Sequence, residues 1–390
     1  MNFLFHCWEY PPHPGGVGRY IRNMSEALAV AGHGVVAVVG SAEDTGEDAP
    51  EYEEKNGVYI HRCLRREELY TRTAADMVLE LVAHYNVQLI EGADHLGSSA
   101  ALLACTNRPP VVIKCHSCSV LYAAHEQAHA LYSWQKWLIR LARLRSRKQA
   151  QSEQYSIEHA NLLTVPSRII LKKMKEQGLR LPAQQMLVPN PIKPIARAAL
   201  SAEAERPTLL YLGRLDIGKG IQYLPDILHF VLQSVPDVCL EIAGPDSYAR
   251  GLGSLQQWLR CAFGENEQYV QWLGCLDEQE VEKALQRAWV VLVPSRWDTF
   301  PTVLLETMSQ AKAAVVSDKG GIPEMVSGTD IPVCGPEKRL FAEKVIDLLR
   351  HTDKRRQVGA SGYRKVVTSF SPETVVNQYR KMAEGVLASC

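Results

Sequence analysis

Two carboxylates spaced Asp298-x7-Glu306 lie in the run Pro294-Ser-Arg-Trp-Asp-Thr-Phe-Pro-Thr-Val-Leu-Leu-Glu-Thr-Met-Ser-Gln-Ala. The apolar Val290-Val-Leu-Val precedes it and a Gly320-Gly-Ile-Pro-Glu324 turn follows, so the block reads as strand, phosphate loop and helix. Proline suits the first turn of a helix because its missing N–H has no intrahelical partner to lose. With Phe300-Pro301 opening the helix, the amides of Thr302 and Val303 are left as donors toward a phosphate, and Glu306 follows one turn later. A carboxylate in that place accepts two hydroxyls of a sugar or ribose at once. The chemistry is that of holding a diphosphate joined to hydroxylated rings.

Three other constellations deserve weighing against plainer readings. Gly213-Arg214-Leu-Asp-Ile-Gly218-Lys219-Gly220 follows an apolar strand, and its two cations and glycine backbone suit a diphosphate. A solvated surface turn would use the same residues. The loop matches neither GxxxxGK[ST] nor GxGxxG, which leaves a P-loop ATPase or an NAD-binding fold without support. Near the start, Pro14-Gly15-Gly16-Val-Gly18-Arg19 separates the first strand from its helix, where glycine lets a ligand approach the backbone and the helix start favours an anion. The alternative there is a tight turn. His116, in Cys115-His116-Ser117-Cys118 at a strand end, is either structural or placed to bond a hydroxyl. The CxxC spacing is also that of a redox motif or half a zinc site, but no second CxxC or paired His completes a tetrahedral site. The segment therefore reads as two thiols beside a functional His.

The elements that must position these residues alternate. Apolar strands are predicted over 2–7, 35–39, 58–63, 88–91, 111–114, 162–165 and 186–188, with helices such as 18–31 between most of them. A Pro-punctuated stretch, 191–207, interrupts the rhythm as a linker. Strands then recur over 208–213, 238–243, 270–273, 290–293 and 313–317, separated by helices. Alternation of this kind implies parallel strands with crossover helices, hence two doubly wound α/β units: 1–190 and 208–370. Ser371-Pro opens a last helix over 371–390, with Val375, Tyr379 and Met382 at helical spacing.

The 390 residues suffice for about two to three domains of roughly 100–200 residues each. With 43 basic and 43 acidic side chains, net charge points to no nucleic-acid partner. The ten cysteines are mostly scattered through strands and helices, as reduced buried thiols usually are. No basic leader and no stretch of roughly 20 uninterrupted apolar residues is present, so a cytoplasmic protein is expected. The stretch 132–150 sets Trp134, Trp137 and Leu141 on one helical face and Lys136, Arg140, Arg143 and Arg147 on another. It reads as a domain helix with solvated cations, the other reading being peripheral contact with the inner face of a membrane.

Taken in order, Gly15-Gly-Val-Gly18, Cys115-His116-Ser117, Pro189-Asn190-Pro191, Gly213-Arg214-Leu215 with Lys219-Gly220, Asp298-x7-Glu306 and Gly320-Gly-Ile-Pro-Glu324 resemble glycosyltransferase family 4, retaining enzymes of the GT-B fold. The resemblance implies two Rossmann-like domains facing across a cleft, acceptor-side first and donor-side second, with the last helix crossing back to the first. It implies a nucleotide diphosphate sugar as donor substrate, an acceptor of unknown kind, and neither cofactor nor metal. By the same resemblance Glu306 holds the donor ribose, Asp298 meets the transferred sugar, and Arg214 and Lys219 clamp the diphosphate. Gly213 and Thr302 line the donor site, and Thr299, Phe300 and Pro301 turn their backbone to sugar and phosphate. His116 lies near the reacting sugar, and Gly15 and Gly16 belong to the glycine loop beside the donor phosphates and the acceptor. The chain departs from the family in having Asp298 where Glu is common and Thr-Phe-Pro where Gly-Phe-Gly is common, which leaves the sugar's identity open. A GT-B-like sugar-nucleotide epimerase and a noncatalytic sugar-nucleotide or glycan binder are the competing readings.

Overall fold

The computed structural model describes residues 1–13, 15–41, 50–63, 67–129, 147–195, 203–249, 251–335 and 337–389. The chain divides into two compact units, Met1–Pro191 with Phe370–Cys390, and Ile192–Ser369. Of the cationic stretch 132–150, all but 147–150, which begin the helix Arg147–His159, lies outside the described residues.

The first unit is built on an eight-stranded sheet in the order β3-β4-β2-β1-β5-β6-β7-β8. Its strands are β1 (Asn2–Cys7), β2 (Gly34–Gly40), β3 (Tyr52–Lys55), β4 (Val58–Cys63), β5 (Leu89–Ala93), β6 (Val111–Lys114), β7 (Leu162–Val165) and β8 (Gln185–Leu187). Only β3 runs antiparallel to its neighbour. Strands such as Val35-Val-Ala-Val-Val39 are apolar at successive positions because helices cover both faces of the sheet. The strand period of two then sorts the side chains. Phe3 and Phe5 pack with Met24 and Leu28 on one face, while Leu4 joins Ile90, Ile113 and Leu163 on the other.

The helix Pro372–Ser389 belongs to this unit and buries Val375, Val376, Tyr379, Met382, Ala383 and Val386 in it. Each large apolar side chain so buried is worth about 1.5–3 kcal/mol, which holds the chain's last segment against its first. The Ser-Pro start behaves as a cap should: Ser371 Oγ accepts from the Thr374 amide at 3.4 Å.

The second unit carries a six-stranded parallel sheet, β13-β10-β9-β14-β15-β16. It comprises β9 (Thr208–Leu212), β10 (Cys239–Ala243), β13 (Val270–Gly274), β14 (Val290–Val293), β15 (Ala313–Ser317) and β16 (Val333–Cys334), with a separate hairpin of β11 (Tyr248–Ala249) and β12 (Gly253–Ser254). The described parts of the Pro-rich stretch are bonded into this unit: Ile195 N donates to Ser309 O (3.0 Å) and Ala204 N to Arg287 O (2.9 Å). Arg355, 3% exposed, grips both oxygens of Glu203 and lies 4.3 Å from the Trp289 ring.

β3, the hairpin and β16 lie outside the strands predicted from periodicity. β3 is the charged Tyr-Glu-Glu-Lys at an edge, and the others are two-residue pairs set by their neighbours. Among the described residues no helix is long and apolar enough to cross a membrane.

Candidate active site

Ligands of open α/β sheets settle beyond the carboxyl ends of the strands where strand order reverses. In the second unit β9 pairs with β10 on one side and β14 on the other, so the reversal falls between β9 and β14. The loops leaving those two strands are 213–220 and 294–301, which carry most of the residues singled out above.

These loops are locked together. Lys219 Nζ lies 2.6 Å from Asp298 Oδ2, while Asp298 Oδ1 accepts from the Phe300 amide at 3.3 Å. The Gly218 carbonyl accepts from the amides of Arg296 (2.8 Å) and Trp297 (3.3 Å). Gly220, at φ +80°, lies where a β-carbon would overlap the Pro294 carbonyl, and Gly320, at φ +59°, where one would overlap the Asp298 carbonyl. Both positions need glycine for conformation and for space. The Gly321 amide completes the junction with a 2.8 Å bond to Asp298 O.

Arg214 is more than half exposed and pairs with Asp216 at 3.0 Å, and Asp216 also accepts from the Gly218 amide at 2.6 Å. Gly213, which begins this loop, donates its amide to Ala243 O. One cation thus stands on each side of a short, hydrogen-bonded turn.

The helix Thr302–Ser309 begins at the expected residue, with Pro301 as its N-cap rather than in its first turn, and ends two residues before the expected Ala311. The Leu304 and Leu305 amides both bond Pro301 O, at 3.2 and 3.3 Å, which leaves the Thr302 and Val303 amides outside the helical ladder. No side chain caps this end. Phe300 is 6% exposed, so only its backbone is available to a ligand, whereas Thr299, Thr302 and Glu306 are half-buried.

In the first unit Gly15 is the exposed N-cap of the helix Gly16–Val30, and Gly16, also exposed, is its first residue. This helix starts two residues before the expected position, which places Gly18 inside it. Gly18 is buried, and a β-carbon there would come within 2.9 Å of the Glu9 and Tyr10 backbone. Its smallness therefore serves packing, not ligand approach. A β-carbon on Gly15 would overlap the Glu9 carboxylate, whose Oε2 is buried without a hydrogen-bond partner among the described residues.

His116 stands on a loop organised by Asp94, a fully buried residue that the sequence reading passed over. Asp94 Oδ1 accepts from the His116 amide (3.0 Å) and Oδ2 from Cys115 Sγ (3.1 Å). The signal for it was present: an acid directly after β5, at the reversal between β1 and β5 of this sheet. The His116 ring meets Tyr20 edge-on at 5.0 Å, and its Nε2 is buried with no hydrogen-bond partner among the described residues. Burial, aided by Lys114 and His95, holds its pKa well below the usual imidazole range, so the ring is neutral near pH 7. The hydrogen bond with Cys118 and burial push the Cys115 thiol well up, which disfavours the reactive thiolate. Among the described residues no three His, Cys, Asp or Glu side chains are grouped to hold a metal ion.

Residues 193–365 match the family described as Glycosyl transferases group 1, and residues 14–194 match Glycosyltransferase Family 4. The chain is 26% identical over 372 residues to a glycogen synthase of Mycobacterium tuberculosis (strain CDC 1551 / Oshkosh), covering 86% of this chain and 83% of that one. Among solved structures it superposes on sucrose-phosphate synthase from Thermosynechococcus elongatus with a TM-score of 0.77 at 20% identity, covering 100% of both chains. Anabaena HepE in complex with UDP-glucose gives a TM-score of 0.70 at 17% identity, again over 100% of both chains.

Proposed function

Since the chain belongs to the family 4 glycosyltransferases and has their GT-B fold of two Rossmann-like units, we propose that it transfers a sugar from a nucleotide diphosphate sugar to an acceptor hydroxyl, with retention at the transferred carbon and without a metal. The observation that carries this reading is the junction at the β9/β14 reversal, where Lys219, Asp298 and the open start of the helix Thr302–Ser309 meet.

Cleavage of the glycosyl–phosphate bond leaves negative charge on the diphosphate and oxocarbenium character on the sugar. Lys219 has three N–H donors, of which Asp298 takes one, so the others are available to phosphate oxygens, and Arg214 supplies a second cation. The Thr302 and Val303 amides add donors at the positive end of the helix. Asp298, fixed by Lys219 and the Phe300 amide, puts a carboxylate where positive character develops. Glu306, one turn along the helix, is assigned the ribose hydroxyls. The acceptor oxygen forms the new bond on the face the diphosphate leaves, and its proton passes to the departing phosphate oxygen. Gly15, Gly16 and the neutral His116 ring are assigned to the acceptor and the reacting sugar.

The HepE complex makes UDP-glucose the first donor to try. Release of nucleotide diphosphate from UDP-, GDP- and ADP-sugars, with and without an acceptor extract, tests the reading. Acceptor-dependent release with an α-linked product from an α-linked donor is expected. Conversion of donor to an epimer without acceptor, or tight donor binding with no turnover on any acceptor, would overturn it.

A further inference from the structure

The first unit buries a charged cluster that transfer chemistry does not use directly. Glu91 on β5 and Lys114 at the end of β6 are 3% and 1% exposed. The Tyr20 hydroxyl, on the helix Gly16–Val30, donates to Glu91 Oε1 at 2.8 Å. Lys114 Nζ lies 4.7 Å from the centre of the Tyr20 ring and donates to the Val188 carbonyl. From the last helix, the fully buried Tyr379 stacks on Phe5 of β1, the strand beside β5, and burial together with the Glu91 carboxyl pushes its hydroxyl's pKa well up. The Tyr20 ring also meets His116: the two rings are 5.0 Å apart, and Lys114 precedes His116 by two residues.

Stability does not account for such a cluster. A buried acid and ammonium each lose several kcal/mol of solvation, and apolar residues of the same volume usually do as well or better. What a hydrogen-bonded buried network supplies is a single arrangement of the groups it joins. Here those groups come from β5, β6, the glycine-led first helix and the last helix, and one of them, Tyr20, lies against the His116 imidazole.

We propose that Tyr20, Glu91 and Tyr379 are positioning residues for His116, so that the last helix of the chain helps to set the geometry of the acceptor-side site. The relay runs from Glu91 through the Tyr20 hydroxyl to the Tyr20 ring and from that ring to His116, with Tyr379 acting on the Glu91 end through its electrostatic coupling to the carboxyl. Lys114 balances the Glu91 charge and ties the network to the strand end that carries His116. The inference rests on the reading of His116 as a substrate-facing group.

The test uses the full chain with 15N-labelled histidine. The His116 ring resonances, assigned with His116→Gln, are followed in wild type, Tyr20→Phe, Tyr379→Phe and Glu91→Gln, alongside steady-state transfer and the thermal shift given by UDP-glucose. Tyr20→Phe keeps the ring against His116 and removes only the hydroxyl, so folding is retained even if Glu91→Gln does not fold. The expected result is a displaced His116 resonance and a loss of kcat on the order of tenfold, as for other groups that orient a working side chain, with the donor-induced shift unchanged. Unchanged His116 resonances in both Tyr variants would overturn the relay. A wild type without transfer activity, but with His116 resonances that move in the variants, would instead overturn the functional reading and leave the relay standing.

Discussion

Replacing Lys219 by alanine separates two jobs that the structure gives one side chain. In the resting fold Lys219 pairs with Asp298 at 2.6 Å, but its side chain is 38% exposed and the Asp298 side chain 10% exposed. Ion pairs with an exposed partner contribute about 0–1 kcal/mol, so unfolding by urea should shift little. In the transition state the same ammonium faces charge developing on the leaving diphosphate. Removing one preorganised contact of that kind costs about 2.7–4 kcal/mol, or 10²–10³ in rate. The assay is nucleotide diphosphate release under kcat/KM conditions for wild type, Lys219→Ala, Asp298→Asn and the double variant. If Lys219 only neutralised Asp298 and neither group met the reacting atoms, removing that charge as well would restore activity. The expected outcome is no rescue, the double variant being at least as slow as Lys219→Ala. Activity of Lys219→Ala within about threefold of wild type, or recovery in the double variant, would refute the assignment.

Three further outcomes follow from the coordinates. Gly320→Ala places a β-carbon against the Asp298 carbonyl at φ +59°; displacing that loop by about 1 Å should lower kcat/KM by about 10², and wild-type kinetics would show that the junction does not set the site. His6 is buried against Ser99 Oγ at 2.9 Å, and burial lowers its pKa from 6.5 to about 4. Between those values the unfolded chain binds the proton that the folded chain excludes, so stability present above pH 6.5 falls by about 3 kcal/mol as pH drops to 4. A His6→Gln chain should lose that much less over the same range in urea titrations, and parallel curves would contradict it. Arg355→Met strands Glu203 and removes the cation over Trp289; about 3 kcal/mol of unfolding free energy should be lost with KM for donor unchanged, and an unaltered urea midpoint would count against that anchor.

Much of this was legible in the chain because parallel strands covered on both faces are written as short apolar runs. Val290-Val-Leu-Val and Val111-Val-Ile declare themselves strands without reference to a neighbour, and the strand-loop-helix order puts Asp298 and Glu306 at a carboxyl-end rim. Edge pieces were not legible, since Tyr52-Glu-Glu-Lys and the two-residue strands take their form from partners rather than from periodicity. The first helix starts two residues early, at Gly16, and Pro301 caps its helix rather than entering the first turn, since flanking packing decides which amide first enters the ladder.

Residue types and order alone determined that two α/β units carry cationic glycine loops, paired acids and a His at strand ends. Which of those groups meet was settled by the tertiary structure. Lys219 and Asp298 come together only because β9 and β14 are neighbours across the reversal of the sheet, and Gly220 and Gly320 let their loops close to contact. Tyr379 reaches Phe3 and Phe5 of β1 only because the last helix buries its apolar face in the first sheet's core. Local periodicity specifies elements through interactions of near neighbours along the chain, whereas these pairings depend on strand order and on space between side chains, which no short stretch of sequence contains.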